Sequence, residues 1–202
     1  MRSADQIDTA IKQANRHHYH DFMHPSAYIR ASALSAGVGI LSDLCTPLAC
    51  PVPHLPHGTG LPPRERAAFA VVLSPMGFYI LMAAVHMYTF EGLSDNRQRL
   101  LRQIFEVTVA YGIPYIVAGG RQVHPSALPP LPWIQAHGAY IVAPSSPTYI
   151  SGNAASTLAF ALVRGDIAAY VESFATMDVG CIREQAPVHI ILSVSKAMPN
   201  IW

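Results

Sequence analysis

The middle of the chain contains two apolar segments, one amphipathic helix and a further apolar segment, and this order allows few folds. Residues 67–73 and 78–88 predict two buried strands joined by a turn short enough for a hairpin. Ser94 caps a helix over about residues 95–111, which a glycine and a proline end. Because the helix leads into a strand at residues 115–118, it predicts a right-handed crossover with parallel pairing. An α/β fold follows.

Shorter patterned segments on both sides complete the predicted architecture. Ile7, Ile11 and Ala14 recur at helical spacing, so we expect a helix from residue 4 to about residue 16. The further predicted elements are strands at residues 36–41, 139–143, 156–163, 167–179 and 188–194 and one helical turn at residues 133–137. Strands with few helices between them favour a mixed sheet, or two packed sheets, with helices on the outer faces.

The composition limits the class of protein and of partner. A length of 202 residues suits one domain with a sizeable core. Thirteen basic residues against 12 acidic ones leave a net charge of +1, so no overall field favours nucleic acid, a membrane surface or acidic ligands. Charged residues make up 12% and hydrophobic residues 51% of the chain, which excludes disorder. Three cysteines and no signal-like first segment predict an intracellular protein, cytoplasmic or nuclear.

A stretch without charged residues separates Arg66 from Glu91 and is as long as the ~20 residues that span a bilayer. Pro75 and Gly77 interrupt it. Two buried strands joined by a turn explain both the apolarity and the interruption, so we expect strands here and no membrane span.

Two segments invite a metal-binding interpretation. Residues 45–63 contain six prolines and predict a long loop, which is unsuited to a central strand or a helix. Cys45 and Cys50 at its start lack the spacing and the second pair of a zinc site, so free thiols are expected. His20 and His24 have the spacing of a metal pair on a helix. Few further ligand types accompany them, and a solvated helix end is the preferred interpretation.

The segment PYIVAGGRQVHP, residues 114–125, has the organisation of a functional site. A strand that ends in a glycine turn is where α/β folds usually place their chemistry. Gly119 and Gly120 are followed by Arg121 and Gln122, and the turn contains no carboxylate. The segment therefore predicts a site whose backbone is in place but which lacks an acid.

From about Ala36 to Val194 the chain resembles the endonuclease/exonuclease/phosphatase superfamily. The matching segments occur in the family's order, namely AGVGIL, VHMY with the helix that follows it, PYIVAGGRQVHP, PTYISGNAASTLAFALV and EQAPVHIIL. The resemblance implies two packed mixed β-sheets with outer helices, a four-layer sandwich that is N-terminally truncated here. It also implies a phosphodiesterase or nuclease that uses Mg²⁺ or Mn²⁺. We group residues 1–35 as an N-terminal segment and residues 36–202 as one domain.

The resemblance also assigns site positions, and most of them are substituted. Active members carry an aspartate and an asparagine in the glycine turn, where this chain has Gly120 and Gln122. The family's strand aspartate falls on Ala159 and its terminal histidine falls on Gln185. The acidic metal ligand of an early strand is not identifiable.

Two assigned positions keep the family's residue type. Tyr88 stands at the strand end, although a core tyrosine with a bonded hydroxyl would fit there as well. Glu184 stands at the terminal acid's position, although a solvated loop acid is the preferred interpretation. Arg121 would add a positive charge that suits a phosphate. The alternative, which is preferred, is an exposed arginine in a loop.

These substitutions predict a loss of activity. Phosphodiester cleavage needs a divalent cation held by oxygen ligands, a base or positioned water, and stabilisation of charge on the phosphate. Glycine and alanine supply no ligand, and glutamine neither acts as a base nor neutralises a dianion. We therefore expect a pseudoenzyme with no bound metal. The alternatives left open are a module that binds a phosphate-containing ligand, a nucleic acid or a protein partner in the old cleft, and a remnant without function.

Overall fold

The computed structural model describes residues 4–17, 19–24, 27–30, 33–35, 38–43, 48–51, 67–73, 77–87, 94–120, 132–151, 153–177 and 188–193. They fall into two compact units, Met1–Val123 and His124–Trp202. Within this part of the chain, no helix has both the length and the apolarity to cross a membrane. The predicted boundary between residues 35 and 36 stays a prediction.

The first unit carries a mixed sheet. Its elements are α1 (Ala4–Arg16), β1 (Tyr19–His24), β2 (Ala27–Arg30), β3 (Ala33–Ser35), β4 (Val38–Asp43), β5 (Leu48–Pro51), β6 (Ala67–Leu73), β7 (Tyr79–Val85), α2 (Asp95–Tyr111) and β8 (Tyr115–Gly120). The strands β5, β6, β7 and β8 are neighbours in that order. The first two pairings are antiparallel, and β7 and β8 are parallel. The predicted α/β fold with mixed sheets is confirmed.

The β6–β7 hairpin forms the core of this unit. Five consecutive residues, Ala67 to Val71, are buried in β6. Because successive side chains in a strand point to opposite faces, both faces of β6 are covered. β1 and β4 pair antiparallel, and both lie against β6. Within the described residues, the uncharged stretch that follows Arg66 therefore forms a buried hairpin, as predicted.

The helix α2 begins and ends where the sequence predicts. The Ser94 hydroxyl oxygen accepts a hydrogen bond from the Arg97 N–H at 3.4 Å, which caps the first turn. Gly112 has a φ of 64° and donates its N–H to carbonyl oxygens of the last turn, which ends the helix. The apolar side of α2 is fully buried and consists of Leu100, Leu101, Ile104 and Phe105. The helix contacts β7, so this apolar side serves the core of the first unit.

The second unit contains α3 (Pro132–Ala136), β9 (Ala139–Val142), β10 (Tyr149–Ser151), β11 (Ala154–Ser156), β12 (Ala159–Arg164), α4 (Gly165–Ala168), β13 (Val171–Thr176) and β14 (Val188–Leu192). Three antiparallel pairs join β9 with β12, β10 with β11, and β13 with β14. In β12 the four residues from Phe160 to Val163 are 0% exposed. This strand therefore has no alternation of buried and exposed positions.

Three predictions from the sequence are wrong in detail. β5 lies inside the predicted loop 45–63, where it pairs with β6. Residues 19–24 form β1 and not a helix end. On a strand, His20 and His24 have Cα atoms about 13 Å apart, so the spacing of a helical metal pair does not apply. The predicted strand 167–179 begins later than expected, because the short helix α4 occupies its first residues and β13 starts at Val171.

Candidate functional site

The carboxyl ends of β7 and β8 meet at one edge of the sheet. The two strands are parallel, and their register pairs Ala84 with Ala118. The next residues along are Val85 on β7 and Gly119 on β8. The double glycine at the start of the predicted turn therefore lies beside the end of β7, in the same compact unit.

Gly119 is a position that the fold reserves for glycine. Its φ is 145°, a backbone conformation that other residues rarely adopt. A Cβ atom built on Gly119 would stand 1.9 Å from the Val85 carbonyl oxygen and 2.9 Å from both the Val85 nitrogen and its carbonyl carbon. Only a hydrogen atom fits between the two strands at this point. Gly119 thus allows the ends of β7 and β8 to lie in close contact. The second glycine, Gly120, is the last residue of β8.

The helix α2 fixes the start of β8. After Gly112 ends the helix, the Pro114 carbonyl oxygen accepts a hydrogen bond from the Leu81 N–H at 2.8 Å. The Tyr115 ring then meets Phe105 edge to face, with ring centroids 5.7 Å apart. Tyr115 is 3% exposed, so this contact is part of the core. The strand that carries the glycine turn is therefore held by backbone and ring contacts at its amino end.

His86 is a residue at this edge that the sequence did not single out. Val85 and Met87 are 2% and 1% exposed, whereas Ala84 and His86 are half-buried. This alternation continues just past the end of β7 and puts His86 on the more open side. The β7–β8 pairing extends to Ala84 and Ala118, and His86 and Gly120 each lie two residues further along the chain. The sequence contained a signal for His86. It stands two residues before Tyr88, and side chains two residues apart on a strand lie on the same face.

Ala159, the assigned position of the strand aspartate, is the first residue of β12 in the second unit. It is half-buried, while the next residue, Phe160, is 0% exposed. The side chain at position 159 thus stands at the boundary between solvent and a fully buried strand. In this chain that side chain is a methyl group, which holds neither a metal ion nor a proton.

Thr148 holds the backbone at this position. Its Oγ1 accepts hydrogen bonds from the N–H groups of Leu158 at 2.8 Å and Ala159 at 2.9 Å. The Thr148 N–H donates to the Ser156 carbonyl oxygen at 3.0 Å. The threonine is 2% exposed. The entrance to β12 and the base of the β10–β11 hairpin are therefore tied to one buried side chain, which the sequence showed only as the threonine of PTYISGNAASTLAFALV.

The remaining assigned positions lie outside the described residues. These are Tyr88, Arg121, Gln122, Glu184 and Gln185. Among the residues that the structure does describe, no three histidine, cysteine, aspartate or glutamate side chains form a group that could hold a metal ion. Among the described residues, the first unit offers backbone at two strand ends and the imidazole of His86, and the second unit offers the methyl group of Ala159.

Known proteins resemble this chain in structure and not in sequence. No model of a protein family and no characterised protein sequence matches it. The endonuclease domain of TRAS1, a telomere-specific non-LTR retrotransposon, superposes with a TM-score of 0.63 at 12% identity, over 94% of this chain and 93% of its own. A mannosyl-6-phosphatase from Bacteroides thetaiotaomicron gives a TM-score of 0.64 at 11% identity, over 90% of this chain and 81% of its own.

An AP endonuclease from Archaeoglobus fulgidus gives a TM-score of 0.58 at 13% identity, over 91% of this chain and 82% of its own. The three structures share one fold with this chain, although two of these proteins are endonucleases and one is a phosphatase. At such low identities the likeness establishes the fold alone.

Proposed function

We propose that this chain, which has the fold of the endonuclease/exonuclease/phosphatase superfamily, is a domain of that fold that has lost metal-dependent phosphodiester hydrolysis. The proposal covers one reaction, the metal-dependent cleavage of phosphodiesters, and the similar structures that support it include two endonucleases. The residues that carry it are the substituted positions Gly120, Gln122, Ala159 and Gln185.

The chemistry of these four side chains supports the loss. Mg²⁺ and Mn²⁺ are held by carboxylate and other oxygen ligands, and Gly120 and Ala159 offer no side-chain oxygen. Gln122 retains an amide that can hydrogen-bond a phosphate oxygen. Gln185 cannot carry a proton or a positive charge, so it cannot replace a histidine in contact with phosphate. Binding without turnover is what this set of groups can provide.

Ala159 is the observation on which the proposal rests most directly. Thr148 holds the backbone of residues 158 and 159 through two hydrogen bonds of 2.8 and 2.9 Å. The local framework at the assigned aspartate position is thus ordered and hydrogen-bonded, and the side chain on it is inert. This combination favours loss by substitution of the reacting groups over loss by collapse of the strand.

The test is a cleavage assay on the full chain. Purified protein with Mg²⁺ or Mn²⁺ is offered supercoiled DNA, single-stranded RNA and bis-p-nitrophenyl phosphate, and heat-inactivated protein and a chelator provide the controls. We expect no turnover above the heat-inactivated control. Robust cleavage that a chelator abolishes would overturn the proposal, and circular dichroism confirms that the protein assayed is folded.

A second candidate function is binding of a phosphate-containing ligand at the same strand edge. The half-buried His86 favours it, because His86 lies two residues beyond the paired part of β7 and an imidazole can contact an anion. Arg121 follows Gly120 in the sequence and would add a guanidinium group. A nucleic acid would supply a suitable phosphate group.

A further inference from the structure

We propose that Thr148 is the positioning residue for position 159, and that it keeps the lost aspartate's backbone in a form able to carry the carboxylate again. This inference deepens the proposed function and rests on it, because it takes Ala159 as the substituted site position. Its physical content is local, since one buried hydroxyl oxygen sets the direction in which the chain enters β12.

The hydrogen bonds of Thr148 close a ring around the β10–β11 hairpin. Its N–H donates to Ser156 at the end of β11, and its Oγ1 accepts from Leu158 and Ala159 at the start of β12. The register of the hairpin pairs Tyr149, the next residue, with Ser156. Both the hairpin base and the strand entrance therefore depend on the same residue.

Two consecutive N–H groups that reach one acceptor show that the chain departs from regular extended geometry there. In an extended strand, successive N–H groups point to opposite sides, so a single oxygen cannot receive both. The Thr148 oxygen therefore holds the N–H groups of Leu158 and Ala159 on one side of the chain, and β12 starts at Ala159. This local conformation sets the direction of the Cα–Cβ bond at position 159.

A hydroxyl group is well suited to this task, and valine is a close test of it. The threonine oxygen has two lone pairs, and the two N–H groups use both. Thr148→Val keeps the branched shape and removes the acceptor, which leaves two N–H groups near the buried strand without their partner. Thr148→Ser keeps the acceptor. Thr108→Val is the matched control, because Thr108 is also 2% exposed but donates its hydroxyl to Phe105 on α2 at 2.8 Å.

The first measurement is amide hydrogen exchange of Leu158 and Ala159 by NMR. We expect exchange at both amides to be about tenfold faster or more in Thr148→Val, and unchanged within twofold in Thr148→Ser and Thr108→Val. The amides of the buried residues Leu162 and Ile116 report global stability and should change equally in the two valine variants. Unchanged exchange at Leu158 and Ala159 in Thr148→Val would overturn the inference, whatever the chain's activity.

The second measurement separates positioning from stability. In Ala159→Asp we expect the residual dipolar coupling of the Cα–Cβ bond at position 159, measured by NMR, to match that of the natural chain. Adding Thr148→Val should change this coupling beyond experimental error while the couplings in β13 and β14 stay unchanged, and adding Thr148→Ser should leave it unchanged. A coupling unaffected by Thr148→Val would overturn the inference. A coupling that already differs in Ala159→Asp would contradict the claim that the backbone can carry the carboxylate again. Cleavage by the natural chain would instead overturn the proposed function.

Discussion

Substitution of Gly119 by alanine tests the close contact between β7 and β8. The alanine Cβ would stand 1.9 Å from the Val85 carbonyl oxygen, well inside the 3.0 Å that real Cβ contacts essentially never cross. The obstacle is backbone, which cannot rotate away as a side chain would. The two strands must therefore separate by roughly 1 Å at this edge, or Gly119 must leave its conformation.

The magnitude has two parts. A residue other than glycine at a φ of 145° costs about 1–3 kcal/mol in backbone strain. Separation of the strand ends weakens one or two hydrogen bonds of the ladder, each worth about 1 kcal/mol. We expect Gly119→Ala to lower the free energy of unfolding by about 3 kcal/mol or more, which is a large share of the ~5–15 kcal/mol of an ordinary domain.

The assay is urea unfolding followed by circular dichroism, with Gly112→Ala as the matched control. Gly112 also has a positive φ, 64°, but no atom lies within 4 Å of its built Cβ. Its substitution should cost only the conformational term, about 1–2 kcal/mol. If Gly119→Ala is no more destabilising than Gly112→Ala, the steric argument is refuted and the strand edge is more compliant than the contact implies.

Two further predictions concern the cap of α2 and the strand edge. Ser94→Ala removes the acceptor for the Arg97 N–H and should lower the free energy of unfolding by about 0.5–1 kcal/mol, whereas Ser94→Asp should restore it; a loss above 2 kcal/mol in urea unfolding would show that Ser94 does more than cap. If the second candidate function holds, inorganic pyrophosphate or an oligonucleotide should raise the melting temperature of the natural chain and not of Arg121→Ala or His86→Gln; an equal shift in Arg121→Ala would exclude the arginine from binding.

The sequence predicted best the elements whose limits are set by neighbouring residues. α2 lies where Ser94 and Gly112 begin and end it, and the β6–β7 hairpin lies where two apolar runs flank a short turn. β5 could not be predicted in the same way, because Leu48–Pro51 becomes a strand only by pairing with β6, whose residues are some 20 positions further along. Edge pairing tolerates the prolines that argue against a central strand.

In the candidate site, too, local patterns were predictable from the sequence and contacts between distant residues were not. The glycine turn was visible as a pattern, but the reason that Gly119 must be glycine is the backbone of Val85, which no local pattern reveals. Thr148 is one polar residue in a loop of small residues, and its role depends on the N–H groups of Leu158 and Ala159, ten and eleven residues later. The short helix α4 likewise interrupts an alternation that, in sequence, continues through Ile167.

The burial of β12 has a consequence for how the chain tolerates alanine at position 159. A carboxylate there would be half-buried next to Phe160, which is 0% exposed, where partial desolvation makes an uncompensated negative charge less favourable. A bound cation would offset that desolvation, so an aspartate without its metal would weaken the folded state. Alanine removes this free-energy cost together with the carboxylate that the reaction would need. Folding therefore does not oppose the loss of this acid, and selection for activity alone would have kept it.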